Sequence, residues 1–113
     1  MRSAIVCVDD EWSILRSLSQ QLKHNFGKTY EIELASGGEE AISLCAELTA
    51  EGKEIALIIS DQRMAGMEGD DLLIQLHTLY PKTIKVMLTG QADADSVGNV
   101  VNRANLYRYI RKP

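Results

Sequence analysis

The sequence predicts an α/β domain built on an open, doubly wound parallel sheet. Two short apolar runs, Ala4-Ile-Val-Cys-Val8 and Ile55-Ala-Leu-Ile-Ile-Ser60, leave no alternate positions for water. Each therefore reads as a strand covered by helices on both faces. Strand-like and helix-like apolar spacing then alternates four times and ends on a strand, the pattern of βα units feeding a parallel sheet. A closed barrel needs eight such units, and 113 residues fit one domain.

In chain order, the first strand runs into Asp9-Asp10-Glu11. Ile14, Leu15, Leu18 and Leu22 then recur at helical spacing as far as Asn25, with Gly27 as the stop. Tyr30 to Ala35 puts Ile32 and Leu34 on one side and Glu31 and Glu33 on the other, which predicts a half-exposed edge strand. Gly37-Gly38 opens a helix bearing Ala41, Leu44, Cys45 and Leu48 at i, i+3, i+4 and i+7, and Thr49 to Glu54 reads as a polar surface loop. The strand from Ile55 ends at Asp61 and the glycine-bearing loop Gln62-Arg-Met-Ala-Gly-Met-Glu-Gly69. Leu72, Leu73, Leu76 and Leu79 predict a third helix closed by Pro81. Thr83 to Thr89 is a fourth strand around Ile84, Val86 and Leu88. Val97, Val100, Val101 and Ala104 mark a fourth helix, and Tyr107 to Ile110 a fifth strand before Arg111-Lys112-Pro113.

Composition narrows the function classes. A net charge of −4 argues against a nucleic-acid surface, which needs clustered Lys and Arg. No apolar run approaches the roughly 18 residues of a membrane span, and the amino terminus enters a strand with no leader-like segment. Cys7 and Cys45 both fall within apolar patterns and read as small core hydrophobes rather than a disulfide pair, which makes a reducing cytoplasm the expected compartment. His24 and His77 read as surface residues, and Met64 and Met67 as packing residues of the loop and the helix after it.

The chemistry comes from where the polar residues fall. Asp9-Asp10-Glu11, Asp61, Thr89 and Lys112 each stand at the carboxyl end of a predicted strand, and parallel strands bring those ends to one side. Clustered carboxylates repel unless a cation neutralises them, and Mg²⁺ typically takes one or two carboxylates with waters and a phosphate. Lys112 supplies a mobile positive charge, Thr89 a hydroxyl, and an aspartate can act as a nucleophile toward phosphorus. Taken singly, each residue has a plainer role. The first three acids suit a helix amino terminus, Asp61 a turn, Thr89 a strand end and Lys112 a solvated surface. Trp12 fits either the neighbourhood of a metal or simple packing.

Val8-Asp-Asp-Glu11, Ser60-Asp61 through Met64, Gly66-Met-Glu-Gly69, Leu88-Thr-Gly90 and Tyr109-Ile-Arg-Lys-Pro113 resemble the receiver domains of two-component response regulators over nearly the whole chain. The resemblance implies a flavodoxin-like sheet of order 2-1-3-4-5 and a switch that takes a phosphoryl group from a histidine kinase or phosphotransfer protein. It implies Asp61 as phospho-acceptor, and Mg²⁺ held by Asp10 and Asp61 directly, by Asp9 through water and by the Arg63 carbonyl. Thr89 and Lys112 would contact the phosphoryl group, Tyr109 would turn inward with Thr89, and the Lys112–Pro113 bond would be cis.

Three departures bear on that reading. Ala65 stands where the family usually has proline, which leaves the loop less rigid. Arg63 and Gln91 occupy positions that tune phosphate hydrolysis in relatives, and a bulky Arg63 predicts slow autodephosphorylation. The family's last helix, expected after Pro113, is absent from the chain. Burial of each of its large side chains is worth roughly 1.5–3 kcal/mol. The expectation is a fragment, 1–113, of a longer regulator with an output domain, its bare face covered by the missing helix or by a second copy in a homodimer. Two other readings stand beside the switch. A Mg²⁺-dependent phosphatase would want a second acid where Arg63 stands, and a phosphorylation-independent interaction module would not need the acids, Thr89 and Lys112.

Overall fold

The structure, a computed structural model, describes residues 2–62 and 64–88 in full, and the backbone of Thr89 and of 108–111. The element order is β1 (Ser3–Val8), α1 (Trp12–Phe26), β2 (Tyr30–Ala35), α2 (Gly38–Ala50), β3 (Ile55–Asp61), α3 (Gly69–Leu79), β4 (Ile84–Thr89) and β5 (Arg108–Arg111). The strands form one sheet in the order β2-β1-β3-β4-β5, and every pairing is parallel. This is the open α/β sheet that the sequence predicts, in the strand order that the resemblance to receiver domains implies. The expected fourth helix at 97–104 lies outside the described residues.

Two apolar layers sandwich the sheet. Ala4, Val6 and Val8 of β1, Ile58 of β3 and Met87 of β4 pack with Ala41, Cys45 and Leu48 of α2 and Leu72, Leu73 and Leu76 of α3. Ile5, Cys7, Ile59 and Val86 point the other way, onto Leu15, Leu18 and Leu22 of α1. Strand side chains alternate between faces, so a run with no polar gap serves both layers at once. The alternation breaks where β1 pairs Ala4 with Ile55 and then Ile5 with Leu57. The extra residue, Ala56, is a bulge that lets Ile55 and Ile58 share the α2–α3 layer.

Four boundaries or faces differ from expectation. Helix α2 continues through Thr49 and Ala50, because the Thr49 hydroxyl turns back to donate to the Cys45 carbonyl at 3.0 Å instead of facing a loop. Strand β5 is displaced by one residue, covering 108–111. In β4 the expected core residue Ile84 is 43% exposed, while Lys85 and Met87 on the opposite face are fully buried. His77, expected at the surface, is half-buried, and its Nδ1 lies 3.0 Å from Lys85 Nζ. Burial lowers the Lys85 ammonium pKa below its ordinary 10.5, and the ammonium also donates to the Tyr80 carbonyl at 2.8 Å.

Strand β2 is an edge strand as predicted, half-buried along most of its length. Lys53 Nζ bridges Glu31 at 2.8 Å and Glu51 at 3.1 Å, tying the end of α2 to that edge. The two cysteines are buried and free. Burial alone pushes the Cys7 thiol to about 12 and the Cys45 thiol to about 11.

Candidate functional site

The sheet order reverses direction between β1 and β3, since the chain leaves β1 for β2 on one side and later returns to lay β3 on the other. A crevice opens at such a switch point beyond the carboxyl ends of the strands. Asp9 follows β1 and Asp61 ends β3, so the topology delivers both to this crevice. One carboxylate oxygen from each of Asp9, Asp10 and Asp61 lies within 4.8 Å of the others. Asp9 and Asp61 are buried and Asp10 is exposed at the mouth.

The loop before α1 sets these orientations. Asp9 Oδ1 accepts the Glu11 amide at 2.9 Å, which folds the acidic turn on itself. Glu11 takes the N-cap position with no side-chain hydrogen bond, so helix capping does not account for the cluster. Asp10 Oδ2 instead reaches across to accept the Ala65 amide at 3.0 Å, joining the β1–α1 loop to the loop after β3. Trp12 is 63% exposed, so the packing role considered for it does not hold.

The loop after Asp61 is held at both ends. The Gln62 amide donates to the Leu88 carbonyl at 3.0 Å, and the Gly69 amide donates to the Gln62 carbonyl at 2.7 Å. Gly66 has φ +83°, a left-handed turn that favours glycine. Gly69 opens α3 directly against the Asp61 carbonyl, where a Cβ would collide with that oxygen. Ser60 Oγ donates to the same carbonyl at 2.9 Å. Met64 is buried in the α2–α3 layer and Met67 packs partly buried against it, matching the packing roles expected of both.

The donor set fits a hard divalent cation. Oxygens bound to one Mg²⁺ at about 2.1 Å are at most about 4.2 Å apart, a span comparable with the 4.8 Å within which these three oxygens lie. All three donors are carboxylates, the ligand type such ions take.

Of the residues that the sequence nominates, Asp9, Asp10 and Asp61 are brought together. Strand register carries β4 alongside, pairing Asp61 with Leu88, so Thr89 lies one residue beyond on the adjoining strand, and Thr89 pairs with Arg111 of β5. The Thr89 and Tyr109 side chains, Arg63, Gln91, Lys112 and the Lys112–Pro113 bond lie outside the described residues. Sequence reasoning missed the Ala65 amide, because backbone donors leave no mark in residue identity. The glycines that open α2 and α3 carried a usable clue, since glycine at the start of a helix is a poor helix former and invites another reason for its presence.

A model of the response regulator receiver domain family matches residues 5–113. The chain is 27% identical to the hydrogenase transcriptional regulatory protein HoxA of Cupriavidus necator over 99% of its own length and 21% of that protein's. It thus spans about a fifth of the length of the curated relatives it matches. Among solved structures, the signal receiver domain of an HD domain-containing protein from Pseudomonas fluorescens Pf-5 superposes with a TM-score of 0.85 at 33% identity, covering all of this chain and 84% of that one. A CheY-like response regulator receiver domain protein from Methanospirillum hungatei JF-1 superposes at 0.82 with 32% identity, covering all of this chain and 83% of that one.

Proposed function

The chain belongs to the response regulator receiver domain family of two-component signalling, a family of switches rather than turnover enzymes, and from that membership we propose that it accepts a phosphoryl group on Asp61. The observation that carries the proposal is the convergence of Asp9, Asp10 and Asp61 at the switch point of the sheet. An Asp61 oxygen attacks phosphorus in line with the donor's phosphorus–nitrogen bond. That bond breaks, the imidazole leaves with its electron pair, and an acyl phosphate forms. Little acid–base chemistry is needed, and positioning and charge neutralisation do most of the work.

Asp10 and Asp61 would hold Mg²⁺ directly, with Asp9 acting through water and the Arg63 carbonyl as a further ligand. When bound, the ion supplies positive charge for the carboxylates and for the phosphoryl oxygens. The Ala65 amide holds the Asp10 carboxylate at the mouth of the crevice. Lys112 and Thr89 contact the phosphoryl oxygens in this reading, and Tyr109 follows Thr89 inward, shifting a pre-existing equilibrium at the β4–β5 face. The donor is a histidine kinase or phosphotransfer protein in the cytoplasm, and the readout is an output domain in the same longer chain or a homodimer. In this reading a bulky Arg63 shields the acyl phosphate from water and slows its hydrolysis.

The test is incubation with Mg²⁺ and acetyl phosphate, read by intact mass. One added phosphoryl group, absent in Asp61→Asn and absent when Mg²⁺ is chelated, is the expected result. A wild-type chain that gains no mass, or an Asp61→Asn chain that still does, overturns the assignment. Loss of the added mass within seconds overturns the slow-hydrolysis reading alone.

A further inference from the structure

Gly38 opens α2 with no need for glycine's conformational freedom, because it sits inside a regular helix. It is also buried. What it offers is clearance. A Cβ built there would lie 2.6 Å from Met67 Sδ, 2.9 Å from Met67 Cβ and 3.1 Å from Met67 Cγ. The Sδ clash alone could be relieved by a change of rotamer. The Cβ clash could not, because that atom is fixed to the loop backbone, so a side chain at position 38 must push the loop itself. Gly37, one residue earlier, has extended backbone and open space where its Cβ would stand.

Met67 sits two residues after Ala65, whose amide donates to Asp10 Oδ2 at 3.0 Å. On its other side, Gln75 Nε2 of α3 approaches the Met67 sulfur at 3.9 Å, and both residues line an open cavity of about 530 Å³. Its apolar body packs on the layer formed by α2 and α3. Met67 therefore rests on the first residue of α2, and the loop's height over the crevice follows from how closely it can approach Gly38. We propose that Gly38 and Met67 are positioning residues for the acidic site, setting the height of the loop that presents the Ala65 amide to Asp10. The inference rests on the assignment of Asp9, Asp10 and Asp61 as the Mg²⁺ site.

The experiment measures Mg²⁺ affinity by titration calorimetry in wild type, Gly38→Ala, Gly37→Ala and Met67→Ala, with thermal melts of each in metal-free buffer. Gly38→Ala is expected to weaken Mg²⁺ binding about tenfold and to shift the Ala65 amide resonance. Alanine favours the helix over glycine, so loss of helix propensity cannot explain that result. Gly37→Ala is expected to bind as wild type does. Met67→Ala, which loosens the contact without a clash, is expected to weaken binding two- to fivefold. Wild-type affinity in Gly38→Ala with an unmoved Ala65 resonance overturns the inference. Should Gly38→Ala fail to fold, the Met67→Ala affinity decides, and a value equal to wild type overturns it. A wild-type chain that binds no Mg²⁺ overturns the site assignment itself, an outcome separate from these.

Discussion

Asp9 is buried beside two other carboxylates, and its Oδ1 already accepts the Glu11 amide. Asn in its place keeps an acceptor for that amide and removes one of three like charges. Unit charges within 4.8 Å of one another repel by at least about 3 kcal/mol at an effective dielectric constant near 20. Asp9→Asn is therefore expected to reduce the rise in melting temperature that Mg²⁺ produces, measured by thermal melts with and without the ion. An undiminished rise would show that Asp9 takes no part in holding the cation. The cysteines make a second prediction at this scale. With thiols near 12 and 11 and no exposed sulfur, neither should react with a thiol reagent at pH 8 in the folded chain, and both should react in denaturant. The acids, and the cysteines as core residues, were legible in the sequence because each follows from residue type and position on a strand or helix. The Ala65 amide and the clearance at Gly38 were not, since they depend on how two loops meet in space.

Strand β4 shows where pattern reading fails at the scale of an element. Choosing Ile84, Val86 and Leu88 as the core face is sound if one face is dry and the other wet, but a central parallel strand is covered on both. Lys85 then has to be buried, and its ammonium is taken up by His77 on α3 and by the Tyr80 carbonyl just past it. Desolvation lowers its pKa in the folded chain. The unfolded chain therefore holds that proton more tightly, and folding is penalised at every pH below the folded-state value. The penalty fades as pH rises toward the ordinary 10.5. Lys85→Met is expected to melt higher than wild type at pH 7, by a few degrees, with the gap narrowing by pH 10. A gap that is constant with pH would mean the gain comes from packing rather than charge. Helix α2 offers the milder lesson that a polar residue can extend a helix, as Thr49 does by bonding to its own preceding turn.

For the whole molecule, the sheet order places β3 at the centre, with β1 beside it and β2 outermost. Amide exchange is expected to be slowest in β1 and β3 and faster in β2, because outer strands open at lower cost. Uniform protection across all three would contradict the layered packing. The parallel sheet and the convergence of its strand ends were legible from period and element order, while the strand order itself came from the resemblance to receiver domains. The one-residue displacement of β5 was not, since its apolar residues suit either register. The outermost strand carries one more consequence. Its unpaired backbone row is a template for a second copy, yet Glu31 and Glu33 stand on it, and the hydrogen bond from Lys53 lowers the Glu31 pKa from its ordinary value. Two such rims brought together would crowd Glu31 and Glu33 against their copies, with Lys53 and Arg2 offsetting part of that charge, so concentrated solutions should stay clear at neutral pH and low salt and turn cloudy sooner in a Glu31→Gln/Glu33→Gln variant.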